Sequence, residues 1–205
     1  PLLTAEDLVT VAAFCAGRLD VGLGRGSAIG AGSGALRHLV KNDHELDRAL
    51  RELVSVLGKG CELVEALGDA CQTWLHGAGG RSAELAAALD THYCHGLFLN
   101  PDLDTCLRAL QSYRADAASG LTAVALAVAA NTDPARAQAD AEAQPFAVTA
   151  GTPQHCADTM LNVLRMTGAN EVIIAEVSAD TDDHLRAVDG VYQAFEAVLA
   201  TEGQE

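Results

Sequence analysis

The sequence has few aromatic residues, few basic residues and no long apolar run. Only 4% of its 205 residues are aromatic, and 13 bases stand against 28 acids, giving a net charge of −15. An acidic surface of this kind repels phosphate backbones and anionic lipid headgroups. A membrane span needs about 18 consecutive apolar residues, and the sequence contains no such stretch. We therefore expect neither a nucleic-acid partner nor a membrane partner.

The amino terminus lacks the basic start, the apolar stretch and the small-residue cleavage site of a secretory signal. Six cysteines are scattered along the chain, at positions 15, 61, 71, 94, 106 and 156, with no CxxC pair. In a chain of this length, that distribution predicts reduced, mostly buried thiols rather than a disulfide framework. These absences together favour a cytoplasmic protein.

What the sequence does contain is an alternation of strand-like apolar runs with helical periods. Such an alternation predicts an α/β fold with a parallel sheet and about five βα units. The predicted strands are 19–24, 72–76, 93–99, 121–129 and 172–177. Because no internal repeat or low-complexity linker interrupts the pattern, we predict a single domain over residues 1–205.

Local signals predict where the helices begin. Thr4 and Asp7 form a capping box that opens a first helix reaching about Phe14. Three further pairs each place a capping side chain before a proline at the first helical position. They are Asn100-Pro101, Asp133-Pro134 and Thr152-Pro153. Leucines at helical spacing predict a helix over roughly 44–57, and an apolar stripe predicts the last helix. The stripe comprises Leu185, Val188, Tyr192, Phe195 and Leu199.

The most unusual segment is the glycine-rich run at 22–34, which contains Arg25. It fits neither GxGxxG nor GK[ST], so a dinucleotide fingerprint and a P-loop are excluded. Six of the 13 basic residues fall within residues 18–51. They are Arg18, Arg25, Arg37, Lys41, Arg48 and Arg51. This region suits a small anionic ligand, and the alternatives are a flexible loop and ordinary helix-surface arginines.

A second glycine-rich turn, residues 77–82, stands between a strand and a helix. Such a turn presents helix N-terminal amides to an anion, and Ser82 adds a hydroxyl, although a tight βα turn is the alternative. His92 and His95 point to opposite faces of a strand, so we expect no metal site there. The acids at 180, 182 and 183 suit a helix N-terminus. No GxSxG motif is present, and spacing alone identifies no catalytic residue.

Three segments, in chain order, resemble the bacterial luciferase-like flavin-dependent monooxygenase family. AGRLDVGLGRG at 16–26 is similar to that family's GGRFDLGLGRG segment on its fourth strand. TWLHG at 73–77 with SAELAA at 82–87 resembles its fifth strand and phosphate turn. AGTP at 150–153 with GANEVII at 168–174 is similar to its closing GTPEEV…GADEVI unit. The ordered set covers nearly the whole chain.

The resemblance implies an incomplete TIM barrel, with FMN or a deazaflavin at the carboxyl ends of the strands. Gly24 and Arg25 match positions that line the flavin and contact its phosphate. Arg48 matches another phosphate-binding arginine of some luciferases. Gly79 and Ser82 match a turn that supplies backbone and hydroxyl donors, where the family often has serine at the position of Gly79. The implied activity is oxidation of a small organic substrate by reduced flavin and O2.

The sequence also departs from the family pattern. Residue 1 aligns with the start of the family's third helix, so the first three βα units and the histidine on the second strand have no counterpart here. Pro1 is compatible with a short gene after methionine removal and with a fragment. Open strand edges predict a homodimer. A flavin reductase is a further expected partner, and the alternative function is a non-catalytic flavin-binding or structural partner that dimerises or completes another barrel.

Overall fold

A computed structural model of the chain describes residues 1–15, 17–24, 43–68, 71–117 and 119–202. The helices are α1 (Leu2–Cys15), α2 (Asp43–Lys59), α3 (Gly80–Ala88), α4 (Leu103–Asp116), α5 (Pro134–Glu142), α6 (Pro153–Thr167) and α7 (Thr181–Glu202). The strands are β1 (Leu19–Gly24), β2 (Cys71–Gly77), β3 (His92–Gly96), β4 (Thr122–Ala130), β5 (Thr149–Gly151) and β6 (Glu171–Glu176). Within these ranges, no helix combines the length and the apolar character that crossing a membrane requires. The predicted alternation of strands and helices is confirmed.

The chain divides into two compact units. Unit 1 comprises Pro1–Tyr93 with Ser112–Gly120, and unit 2 comprises Cys94–Gln111 with Leu121–Glu205. In unit 1, β1 and β2 run parallel and in register, from Leu19 opposite Cys71 to Gly24 opposite His76. A single domain over the whole chain stays a prediction.

In unit 2, β4 is the central strand, and all nine of its residues are buried. Its neighbours lie on two sides. The Ala125 carbonyl accepts a hydrogen bond from the residue after β3, and the Asn131 amide donates to the end of β5. The Val128 carbonyl accepts instead from the residue after β6. Because backbone groups alternate in direction along a strand, β3 and β5 flank one edge of β4 and β6 the other. Both β5 and β6 pair with β4 in parallel.

The strand predictions need two corrections. The short strand β5, Thr149–Gly151, was not among the five predicted strands, since three residues carry no readable periodicity. β3 ends at Gly96 and not at residue 99. Residues 97–99 instead form a turn, in which the Leu99 amide donates to the Gly96 carbonyl. The turn still serves the sheet, because the Leu97 amide donates to β4.

Two of the three predicted X-Pro helix starts are confirmed. The Asp133 side chain accepts from the Ala135 amide at 3.0 Å, and the Thr152 hydroxyl accepts from the His155 amide at 3.2 Å. Each cap is followed by proline at the first turn, where the missing amide costs nothing. These starts depend on local chemistry alone, which is why sequence reasoning found them.

The third predicted helix start, at Asn100-Pro101, and the predicted capping box of Thr4 and Asp7 are wrong. Helix α4 begins at Leu103, and the Asp102 carboxylate accepts from the Thr105 amide at 3.2 Å. Asn100 instead holds the turn ahead of the helix, since its side chain accepts from the Asp102 amide. A carboxylate two residues later is the cap that the helix uses. Thr4 lies inside α1, because the helix already begins at Leu2.

The predicted apolar stripe of the last helix does not form its buried face. Leu185 and Tyr192 are each 62% exposed, whereas Ala187 and Val191 are buried. The helix packs through small residues because α6 approaches closely. A Cβ added at Gly190 would lie 3.1 Å from the Pro153 ring. The larger side chains are therefore left on the outer face of α7.

The six cysteines all lie within the described ranges, and none of them is in a disulfide. Cys94, Cys106 and Cys156 are buried, and Cys61 is exposed. Burial is the main cause that raises the pKa of Cys94 to about 12 and that of Cys156 to about 11. These two thiols stay protonated at neutral pH and are therefore poor nucleophiles.

Candidate functional site

The carboxyl ends of β1 and β2 form one edge of unit 1. Gly24 ends β1 and lies opposite His76, the next-to-last residue of β2. Because side chains alternate along a strand, Gly22 and Gly24 share a face with Trp74 and His76. Two glycines thus leave one half of this face bare, and two large rings occupy the other half.

The side chain of His76 lies at this edge. A Cβ at Gly22 would lie 3.0 Å from its Nε2, so the ring lies against the bare backbone of β1. Burial lowers the pKa of His76, which keeps the imidazole neutral at pH 7. Sequence reasoning quoted this residue inside a resembling segment but gave it no role. Its position before a glycine-rich turn is the signal that would have found it.

The turn after β2 is closely packed at its base. A Cβ added to Gly77 would lie 2.2 Å from both the Cβ and the hydroxyl oxygen of Ser82. Ser82 is only 5% exposed, so it cannot move away into solvent. Glycine at position 77 is therefore required by a close approach within the turn.

The outer part of the same turn is open. Gly79 caps α3 with extended backbone and no side-chain cap, and the Tyr93 hydroxyl donates to its carbonyl at 3.3 Å. A Cβ at Gly79 or Gly80 would meet nothing within 4 Å. Space is thus left beside the two glycines at the start of α3, the helix end at which the dipole favours an anion.

Helix α2 reaches this turn through an ion pair. Arg81 Nη2 lies 2.9 Å from Asp47 Oδ2, with the two side chains 43% and 20% exposed. The other oxygen of Asp47 is buried and accepts no hydrogen bond from the described residues. Arg48, the next residue of α2, is exposed. Arg81 was not among the predicted site residues, although it stands in the turn itself.

Comparison with known proteins bears on the fold. No protein-family model matches the chain, and no curated protein matches it. Among solved structures, apo-MsnO8 superposes with a TM-score of 0.75 at 22% identity, covering 96% of this chain and 74% of that one. An F420-dependent secondary alcohol dehydrogenase in complex with an F420-acetone adduct gives 0.65 at 13% identity, covering 94% and 74%.

A third solved structure is a type II Baeyer-Villiger monooxygenase, the oxygenating constituent of 3,6-diketocamphane monooxygenase from the CAM plasmid of Pseudomonas putida, in complex with FMN. It gives a TM-score of 0.51 at 12% identity, covering 83% of this chain and 68% of that one. The chain therefore shares the fold of these three solved structures. The predicted incomplete TIM-barrel-like arrangement is confirmed. Identities this low establish the fold alone, so the chemistry has to be argued from the site residues.

Four of the five predicted site residues lie in unit 1. Gly79 and Ser82 share one turn, Gly24 ends β1 beside His76, and Arg48 follows the residue that pairs with that turn. Arg25 lies outside the described residues. Ser82 is buried beneath the turn, and the amides of Ser82 and Ala83 both donate to the Gly79 carbonyl. The binding roles of all five stay predictions.

Arg18, the first of the basic residues at 18–51, lies away from the edge at Gly24. Arg18 precedes β1 and donates to the Cys15 carbonyl at 3.3 Å. A six-residue strand is roughly 17 Å long, so Arg18 lies at the far end of β1 from Gly24. Arg37 and Lys41 lie outside the described residues. Arg18 is therefore not near Gly24, and the suggestion that the basic region binds a small anion stays a prediction.

The two histidines of β3 have separate environments. The His92 ring packs on Trp74 in unit 1, with centroids 4.7 Å apart. His95 is fully buried in unit 2, where burial lowers its pKa to about 4. Across the part of the chain that the structure describes, no three His, Cys, Asp or Glu residues are grouped to hold a metal.

Unit 2 has a small apolar pocket of about 170 Å³ where β3 ends and β5 begins. Its lining includes Leu97, Phe98, Leu126 and Val148. The Phe98 ring meets the edge of Phe146, with centroids 5.6 Å apart, which stiffens this wall. An apolar cavity of about 150 Å³ holds a benzene molecule. The pocket therefore suits one compact apolar group rather than a long chain.

Proposed function

We propose that the chain binds a reduced flavin, FMN or a deazaflavin, and uses it with O2 to oxidise a small organic substrate. One observation carries the proposal. The turn before α3 leaves space over Gly79 and Gly80, although neither glycine is required there by packing or by a left-handed backbone. The space beside these glycines, at the start of the helix, fits the terminal phosphate of FMN.

Charge supports the same assignment. A phosphate at the start of α3 would lie beside Arg81 and near the part of α2 that carries Arg48. Arg81 is already paired with Asp47, so Arg48 is the cation that opposes the chain's net charge of −15, which otherwise disfavours an anionic ligand. Arg25, which follows Gly24 in the sequence, is proposed as a further phosphate contact on the basis of the resemblance.

The other roles follow from shape. The bare face at Gly22 and Gly24 leaves room beside His76 for a planar ring, and His76 offers a neutral imidazole at that edge. The flavin, when bound, supplies the redox chemistry. In unit 2, the apolar pocket suits a compact apolar part of a substrate. One of the similar structures is a complex with FMN and another is a complex with an F420-acetone adduct. They support either flavin type here.

The decisive experiment is a titration of FMN with the purified chain, in which the quenching of flavin fluorescence reports binding. We expect saturable binding that Arg25→Ala weakens by about 1.5–3 kcal/mol, the range for a hydrogen bond to a charged group. Arg51→Ala, an exposed arginine elsewhere on α2, is the matched control and should leave the affinity unchanged. Equal titration curves for Arg25→Ala and wild type would mean that the phosphate binds away from Arg25.

Oxygen consumption with an added flavin reductase then separates the two functions. Uptake above that of the reductase alone supports the oxidative enzyme. Flavin binding without extra uptake would support the alternative, a non-catalytic flavin-binding partner.

A further inference from the structure

The end of β6 carries a buried carboxylate that the proposed function does not use. The side chain of Glu176 is 1% exposed. Its oxygens accept the Ser178 amide at 3.0 and 3.1 Å and the Ser178 hydroxyl at 2.6 Å. A buried carboxylate is tolerated when hydrogen bonds replace its lost water. Ser178 supplies these bonds and fixes the orientation of the carboxylate.

A histidine completes this arrangement. His184 Nδ1 lies 2.5 Å from Glu176 Oε2. An ionised carboxylate can only accept, so Nδ1 carries the proton in this contact. The His184 side chain is 42% exposed, and its Nδ1 edge faces a buried group. The exposed edge is therefore the opposite one, which carries Nε2, and no described residue hydrogen-bonds to that nitrogen.

The backbone around His184 is also held in place. The Asp180 side chain accepts the amides of Asp182 and Asp183, each at 3.0 Å, which caps α7. The His184 amide donates to the Asp180 carbonyl at 2.9 Å. Both partners of the carboxylate–imidazole contact are thus fixed independently, one at a strand end and the other in a capped first turn. The geometry is preorganised rather than dependent on the contact itself.

A polar cavity of about 300 Å³ opens one helical turn further along α7. Ala187 lines it and lies three residues after His184, on the same face of the helix, so His184 stands next to the cavity without lining it. Asn131 and Thr132 line it from the end of β4, and Arg186 lines it from α7. This lining offers hydrogen-bonding groups and a guanidinium, so the cavity suits a small polar molecule.

Asp183 also lines the cavity, and its carboxylate forms ion pairs with arginines of two helices, α5 and α7. Its carboxylate lies 2.6 Å from Arg136 of α5 and 2.5 Å from Arg186. Asp180 and Asp182 also act electrostatically on Arg186, so the wall is a mixed cluster of acidic and basic groups rather than a cationic one.

We propose that Glu176 and His184 form a proton-transfer dyad for a small polar molecule that binds beside this cavity with an acidic O–H or N–H group at the exposed edge of His184. The ligand's proton moves to His184 Nε2, and the electron pair of the broken bond stays on the ligand's oxygen or nitrogen. Glu176 holds the Nδ1 proton and balances the charge of the imidazolium. The step reverses when the ligand takes the proton back. It needs no flavin, so it stands apart from the proposed function.

The first test measures the reactivity of Nε2. Diethylpyrocarbonate modifies neutral imidazole nitrogens, and peptide mass spectrometry of the full chain at pH 7 gives a rate for each histidine. His155 is the internal control, because it is exposed, lies in the first turn of α6 and has no side-chain partner among the described residues. We expect His184 to react several-fold faster than His155. Glu176→Gln should slow His184 alone, and unchanged rates would overturn the proposal.

The second test needs no variant. Long-range ¹H–¹⁵N spectra of the wild-type chain report which ring nitrogen of His184 carries the proton. The dyad requires a protonated Nδ1 and a bare Nε2. The opposite tautomer would overturn the proposal, whatever the effect of Glu176→Gln on folding.

The third test follows the proton itself. The probe 4-nitrophenol is small enough for the cavity, and its anion absorbs near the visible range. At a pH where the free phenol is mostly protonated, we expect the wild-type chain to add saturable nitrophenolate absorbance. His184→Gln should abolish this signal, and His155→Gln should keep it. No added absorbance with wild type, or an equal signal in His184→Gln, would overturn the proposal.

Discussion

Two regions at the carboxyl ends of the strands are built in opposite ways. In unit 1, the turn before α3 is formed by glycines, with open space beside Gly79 and Gly80. In unit 2, the end of β6 is formed by side chains, with a buried carboxylate that holds an imidazole. The first region is defined by side chains that are missing, and the second by hydrogen bonds that side chains make. Binding an anion needs room, whereas moving a proton needs a fixed donor and acceptor.

The difference has consequences for mutation and for pH. A region made of glycines does not titrate, but it fails when a side chain fills its space. A region made of buried ionisable groups depends on the protonation of those groups, so its stability changes with pH. The following predictions extend this contrast to buried ionisable groups and glycine positions elsewhere in the two units, and the last concerns the outer face of α7.

The largest expected effect is loss of stability in acid through His95 in unit 2. Its folded pKa of about 4 lies below the ordinary value of 6.5, because burial disfavours the charged ring. Below pH 6.5 the unfolded chain binds more protons, so stability falls as the pH falls toward 4. We expect a loss of about 2 kcal/mol by pH 5 from this residue. Urea unfolding at pH 7 and pH 5 measures it.

The control for this prediction is His95→Gln, which cannot titrate in this range. His76 in unit 1 adds a loss of the same sign, because burial lowers its pKa too. The variant therefore keeps the His76 contribution and isolates that of His95. Equal pH dependence in wild type and His95→Gln would contradict the assignment.

The next effect is steric and lies at the base of the turn in unit 1. Gly77→Ala places a Cβ 2.2 Å from two atoms of the buried Ser82. Overpacking of this kind costs about 2 kcal/mol. Gly80→Ala is the matched control, since a Cβ there meets nothing within 4 Å. We expect a lower urea midpoint for Gly77→Ala alone, and equal midpoints would show that the turn relaxes.

A smaller effect should appear in ligand binding at the outer part of the same turn. Gly79→Ala adds a methyl group to the open space without a clash, so stability at pH 7 should change little. The same methyl group occupies room that the proposed phosphate needs, and we expect FMN affinity to fall about tenfold, or about 1.4 kcal/mol. His184→Gln in unit 2 is the comparison and should leave FMN affinity unchanged. An equal loss in both variants would mean that the loss reflects folding rather than the turn.

Sequence reasoning found the features that depend on neighbouring residues. The caps at Asp133 and Thr152 and the position of the turn at 77–82 each follow from local chemistry within a few residues. The Glu176–His184 contact was missed, because it joins a strand end to a helix eight residues later through tertiary placement. The acids at 180–183 were predicted to serve the start of α7. Asp180 does so, but Asp183 also pairs with Arg136 on another helix.

Packing decided the remaining errors. The stripe from Leu185 to Leu199 has helical spacing, and spacing alone does not say which apolar face is covered. The close approach of α6 at Gly190 selected the face with Ala187 and Val191. Both faces of α7 can be recognised in the sequence. Which of them is buried depends on how closely the neighbouring helix packs.

The smallest effect on stability concerns the uncovered face of α7. Leu185 and Tyr192 are each 62% exposed, and among the described residues β6 pairs with β4 alone. We retain the prediction of a homodimer, because association would cover such apolar surface.

Tyr192→Ser should change the free energy of unfolding of the monomer by less than about 0.5 kcal/mol, since the side chain is exposed. It should nevertheless weaken association, while Gln193→Ser, the next residue on the exposed side, should not. Light scattering at micromolar concentration distinguishes the cases, with a wild-type mass of about twice 21.2 kDa expected. A wild-type mass near 21.2 kDa would contradict the homodimer. A dimer unaffected by Tyr192→Ser would place the interface away from α7.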